Sequence, residues 1–237
     1  MWLARTLNRC HGVHVEHEPV PTEQVAHREA MDHPDRVRAY IERFRLKEIY
    51  LRLGASRKTC SVYGEVNGCL RLHIEELRAQ IPHVQIVHIV RDGRDVVRSQ
   101  LSRNALTSTH PVYGGFRPVV DDDENVARWD TLTDLEKSAW LWSWDNRFLR
   151  ERVSLRARFE DITTSYVLFK KQILEPLALD MDEECWSACA HRPENRTTTH
   201  TEEPWTAWSD QQKERFHILC GEEMMKYGYG SIQRGGS

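Results

Sequence analysis

The sequence predicts an α/β fold, a mainly parallel sheet flanked by helices, from three observations. The run Val84-Gln85-Ile86-Val87-His88-Ile89-Val90 is nearly continuous and β-branched, as a strand buried on both faces is. It leads through the turn Arg91-Asp92-Gly93-Arg94 into a helical pattern carried by Val96, Val97 and Leu101. Strand-like and helix-like segments then alternate along the whole chain, the pattern of crossover connections between parallel strands. At 237 residues the chain is expected to form a single domain over residues 1–237. A unit of that size buries roughly 70–75% of its unfolded surface, enough for a core without cross-links.

The elements follow in order. Leu3 and Leu7 lie one turn apart and predict a short helix over residues 2–9, ended before Gly12. Val13-His14-Val15 reads as a strand closed by His17-Glu18-Pro19. Pro34-Asp35 opens a helix with Val37, Tyr40, Ile41 and Phe44 on one stripe. Residues 59–63 read as a strand stopped at Gly64, and Leu70, Ile74 and Leu77 mark the next helix. Thr133 and Glu136 form a capping box that starts a long helix to about Arg152. Leu155, Ala157 and Phe159 alternate with Arg156 and Arg158 as in a strand. A second box, Ser209 with Gln212, opens a last helix ending near Gly228. The stretch 104–130, with the acidic run Asp121–Glu124, is too long for a plain connection and reads as a lid or binding loop.

Composition narrows the function classes. The formal charge is −3 and the pI about 6.5, so no whole-surface basic footprint for nucleic acid is present. No apolar run reaches the roughly 18 residues of a membrane span, and no apolar leader follows Met1. Of the 33 basic residues, 26 are arginine, the better fork for carboxylates, phosphates and sulfates, although arginine-favouring codon usage gives the same bias. The six cysteines include no Cys-x-x-Cys pair, and their spread fits a reduced, cytoplasmic protein. Cys10, His11, His14 and His17 are dense enough to invite a metal, but their spacing matches no common zinc pattern, and no metal is expected.

In open α/β sheets ligands bind beyond the carboxyl ends of the strands, which points to the turn at 91–95. Arg91 leaves the strand end and Ser99 stands eight residues on, in the following helix. A guanidinium fork, a hydroxyl and a helix start suit a phosphate dianion, while a surface pairing of Arg91 with Asp92 or Asp95 is the plainer alternative.

Here the sequence resembles a family. Ile89-Val-Arg-Asp-Gly-Arg-Asp-Val-Val-Arg-Ser99 is similar to the 3′-phosphate-binding segment of sulfotransferases that use 3′-phosphoadenosine 5′-phosphosulfate (PAPS). Tyr63-Gly64-Glu65, Arg158-Phe159-Glu160-Asp161, Trp205, Cys220-Gly221 and Gly228-Tyr229 resemble further segments of the family in the same order. The resemblance implies the P-loop-kinase-like sulfotransferase fold and transfer of a sulfuryl group from PAPS to a hydroxyl of a small molecule or glycan, with no metal. It places Arg91 and Ser99 on the cofactor's 3′-phosphate, Trp2 against its adenine and Arg196 in the late basic segment. Of the two basic residues before Trp205, Arg192 and Arg196, spacing does not decide between them. His17-Glu18-Pro19 occupies the position after the second strand from which family members draw a base. Glu18 is therefore the first candidate to take the hydroxyl proton and His17 the second, with Glu65 a weaker one.

The chain departs from the family at its start. The family's first strand and its Lys/Arg-Ser-Gly-Thr-x-Trp loop, which grips the 5′-phosphosulfate, are absent before Trp2, so a functional protein beginning upstream of Met1 is expected. The alternatives are a non-catalytic binder of PAPS or its product, and a P-loop phosphotransferase, whose Gly-x-x-x-x-Gly-Lys-Ser/Thr stretch does not occur here. The acidic run at 121–124, if it faces the pocket, favours a neutral or cationic acceptor. The stripe Trp140, Trp144, Phe148 reads as core rather than as a substrate shelf.

Overall fold

The amphipathic and β-branched segments settle into the elements of a computed structural model that describes residues 1–20, 39–56, 60–107, 110, 115–190 and 202–230. Helix α1 (Trp2–Leu7) turns Leu3, Ala4, Thr6 and Leu7 inward and is followed by strand β1 (Val13–His17). A π-helical segment, Ile41–Arg45, runs into α2 (Leu46–Ser56). Then come β2 (Val62–Val66), α3 (Ile74–Gln80), β3 (Val87–Val90) and α4 (Gly93–Leu101). After α4 stand α5 (Glu124–Ala127), a 3-10 turn at Trp129–Thr131, the long α6 (Asp134–Arg152) and β4 (Leu155–Arg158). The remaining helices are α7 (Phe159–Thr164), α8 (Tyr166–Phe169) with a π segment Lys170–Leu174, α9 (Glu183–Ala190) and α10 (Asp210–Lys226).

The chain is of the α/β class. Its described strands form two small parallel pairs, β1 with β2 and β3 with β4. Two compact units divide it: Met1–His88 with Val153–Arg196, and Ile89–Arg152 with Thr197–Ser237. No helix among the described residues is long and apolar enough to cross a membrane.

In the first unit, β1 and β2 run in register from Val13↔Val62 to His17↔Val66. The Asn8 side chain ties α1 to β1: its Nδ2 donates to the Val15 carbonyl and its Oδ1 accepts from the Val15 amide, both at 2.7 Å. Trp2 donates from Nε1 to the Cys189 carbonyl and meets Phe159 and Phe169 edge-on, which holds α1 against α9. Trp186 donates in turn to the Ile162 carbonyl.

In the second unit α4 and α10 pack on α6, with Val97, Ala139, Trp142, Phe216, Cys220 and Met224 at the centre. Gly93 belongs to that packing. A Cβ there would stand 3.0 Å from Trp142 and 3.1 Å from the Met224 sulfur, so only glycine lets α4 start this close. Both predicted capping boxes are present. Thr133 and Glu136 bond reciprocally at the start of α6, and Ser209 and Gln212 do so at the start of α10.

Several expectations are corrected. The strand expected at 59–63 is Val62–Val66 and passes straight through Gly64, because pairing with β1 continues to Val66; Thr59 lies outside the described residues. The run 84–90 yields only the four-residue β3, in which His88 and Val90 are buried and Val87 and Ile89 half-buried, rather than a strand buried on both faces throughout. The helix after it begins at Gly93, two residues earlier than expected, because Asp92 caps it. Within 104–130 the residues after Gly115 are not a bare loop: they carry α5 and the 3-10 turn, fixed by Trp129. The proposed helix start at Pro34 lies outside the described residues.

Candidate functional site

The connection between β3 and α4 carries its own counter-charges. Asp92 accepts from the Arg94 amide at 2.9 Å and satisfies the start of α4. Its carboxylate also holds the Arg94 guanidinium, whose cation lies 5.9 Å from the Trp205 ring centroid. Arg91 is exposed and reaches Asp95 at 3.3 Å, a pair in which both side chains are about half in water. Asp95 and Ser99 lie one turn apart on α4, while Arg91 precedes the helix and its cap Asp92. Ser99 is half-buried, and its carbonyl accepts from Arg103 at 3.0 Å.

The other candidates lie in the first unit. Trp2 is half-buried in the aromatic contacts described above. His17 ends β1 and is exposed. Glu18 follows with φ 43°, in the left-handed region that non-glycine residues seldom occupy, and its amide donates to the Val66 carbonyl. Backbone strain of this kind collects at functional positions and comes at a cost of about 1–2 kcal/mol. His17 also lines an open cleft with Met1, Arg5, Asn8 and Arg9. Arg196 and Arg192 lie outside the described residues. The candidate bases and Trp2 thus fall in one unit, and Arg91 with Ser99 in the other.

A charged cluster beside β1 and β2 was not foreseen. Parallel register sets Glu16 against Glu65, and the Tyr63 hydroxyl stands 2.8 Å from a carboxylate oxygen of each. Arg52 donates to both oxygens of Glu16 and to the Pro19 carbonyl. Arg45, fully buried, pairs with Glu65. Burial, and then the two carboxylates, push the Tyr63 hydroxyl well above its ordinary value. Nearby on the chain, burial and then Arg71 push His73 down to about 4, so it is neutral at pH 7. The alternation Tyr63-Gly-Glu65 was the signal for two side chains on one face of a strand. Arg45 gave none, since an arginine on a helix reads as solvent-facing.

The acidic run is also resolved. Asp123 caps α5 through the Asn125 and Val126 amides and accepts from the Trp140 indole at 3.0 Å. Trp140 is buried, and Trp144 and Phe148 stack after it along α6 with ring centroids 5.9 and 5.5 Å apart. Among the described residues no group of three or more His, Cys, Asp or Glu is placed to hold a metal.

No family model, no curated protein and no solved structure matches the chain.

Proposed function

We propose that this protein transfers a sulfuryl group from PAPS to a hydroxyl of a small molecule or glycan, within a P-loop-kinase-like arrangement. The observation that supports the reading is the strand–turn–helix unit of β3 and α4, with Arg91 just past the strand end and Ser99 within the helix that follows. An exposed pair such as Arg91–Asp95 is worth about 0.2–1 kcal/mol. A charge-assisted contact to a phosphate is worth about 1.5–3 kcal/mol, so the 3′-phosphate displaces Asp95. Ser99 supplies a hydroxyl to the same group.

PAPS, the sulfuryl donor, carries an activated S–O bond. In the transfer, the acceptor oxygen bonds to sulfur as the bond from sulfur to the donor's phosphate oxygen breaks, leaving adenosine 3′,5′-bisphosphate. The acceptor's proton goes to a base. Glu18, held in the left-handed region at the end of β1, takes that role in this reading, and His17 is the second choice. All six cysteines are free thiols, which supports a reducing compartment such as the cytoplasm.

The test is release of adenosine 3′,5′-bisphosphate from PAPS in the presence of phenol and monosaccharide acceptors. Turnover is expected, and Glu18→Gln should slow it while leaving donor affinity unchanged. Folded protein that releases no bisphosphate with any acceptor contradicts transfer. Full activity in Glu18→Gln removes Glu18 as the base.

A further inference from the structure

We propose that the cleft between α1 and the end of β1 binds the anionic group of a small molecule, which on the sulfuryl-transfer reading is the acceptor. The cleft is about 510 Å³ and is lined by Met1, Arg5, Asn8, Arg9 and His17. That volume suits a small organic molecule rather than a bare ion. Among the described residues its lining holds two guanidinium groups and an imidazole and no carboxylate. Arg5 stands on α1 and Arg9 just past its C-cap Asn8, and both line the cleft. Arg5 is anchored by donating to the Cys189 carbonyl at 3.2 Å. Arg9 is exposed, and no carboxylate pairs with it among the described residues. Asn8 spends both polar atoms of its amide on Val15, so it shapes the wall while Arg9 supplies the recognition.

A guanidinium fork selects carboxylate, sulfate or phosphate groups. His17, the second candidate base, lines the cleft itself, so a ligand anchored there by its anionic group lies beside that imidazole. Such an acceptor differs from the neutral or cationic one expected from residues 121–124, a run in which Asp123 caps α5 and accepts from Trp140.

The experiment titrates the protein with glucuronate, glucose 6-phosphate and glucose, followed by NMR, with and without saturating adenosine 3′,5′-bisphosphate. At least one anionic sugar should saturate while glucose does not, and the tighter of the two identifies a carboxylate or a tetrahedral oxyanion as the preferred group. Arg9→Gln should weaken that binding about fivefold, the scale of one solvent-exposed charge contact. Arg78→Gln, on an exposed position of α3, should leave it unchanged. Equal binding of glucose, no saturation by either anion, or an unaltered Arg9→Gln variant overturns the proposal. Competition with the bisphosphate also overturns it, because the cleft then belongs to the nucleotide. If the anionic sugar binds and depends on Arg9 while the bisphosphate does not bind at all, the cleft stands and the sulfuryl-transfer reading falls.

Discussion

Replacing Arg45 with methionine is expected to lower the stability of the protein by about 3–5 kcal/mol, the cost of leaving a buried carboxylate without its cation. The Arg45 side chain is 0% exposed and that of its partner Glu65 8%. Glu65 also accepts from Tyr63 and Asn67, so it stays in place when the guanidinium is removed. Urea unfolding should show the midpoint falling with little change in slope. The double variant Arg45→Met with Glu65→Gln removes the orphaned charge and should recover at least half of the loss. A single variant costing under about 1 kcal/mol would show instead that the pair behaves as a solvated surface bridge.

Trp129→Ala should cost a similar amount, about 3–5 kcal/mol, for a large aromatic deleted from a packed interior. Trp129 is 2% exposed, donates to the Phe116 carbonyl at 2.9 Å, and meets Phe116 and Trp140 edge-on. It ties the chain around residue 116 to α6 from a stretch with little regular structure of its own. Trp129→Phe keeps much of the volume but strands the Phe116 carbonyl, at about 1–3 kcal/mol. The expected order of unfolding midpoints is therefore wild type, Trp129→Phe, Trp129→Ala. Equal midpoints for all three would mean that residues 115–132 are not anchored by this ring.

What the sequence shows of the fold follows from where local signals are decisive. The two capping boxes placed the starts of α6 and α10 correctly, because both depend on side chains three residues apart bonding to nearby backbone. The start of α4 was two residues off for a related reason. Asp92 serves as the cap, where the sequence had suggested a turn residue ahead of a helix begun at Asp95. The extent of β2 was not legible, since Val62–Val66 is a strand through its partner β1, and glycine alone reads as a stop. The helices at 159–174 and 183–190 went unnoticed. They are short, and α8 runs on into a π segment whose period does not match the helical one.

The site divides in the same way. That Arg91 leaves a strand and Ser99 stands within the next helix is legible from the β-branched run and the apolar spacing after it. The pairing of Glu16 with Glu65, and the burial of Arg45 against them, depend on strand register and on a distant helix. The strain at Glu18 belongs to the backbone, and no residue type near it announces a left-handed φ.

The most direct measurement is a calorimetric titration of the protein with adenosine 3′,5′-bisphosphate beside the Arg91→Ala variant. The nucleotide should bind, and the variant should lose about 10–150-fold in affinity, the equivalent of about 1.5–3 kcal/mol for one charge-assisted phosphate contact. Folded protein that does not bind the bisphosphate, or that binds it equally well without Arg91, would contradict a 3′-phosphate site at the turn between β3 and α4.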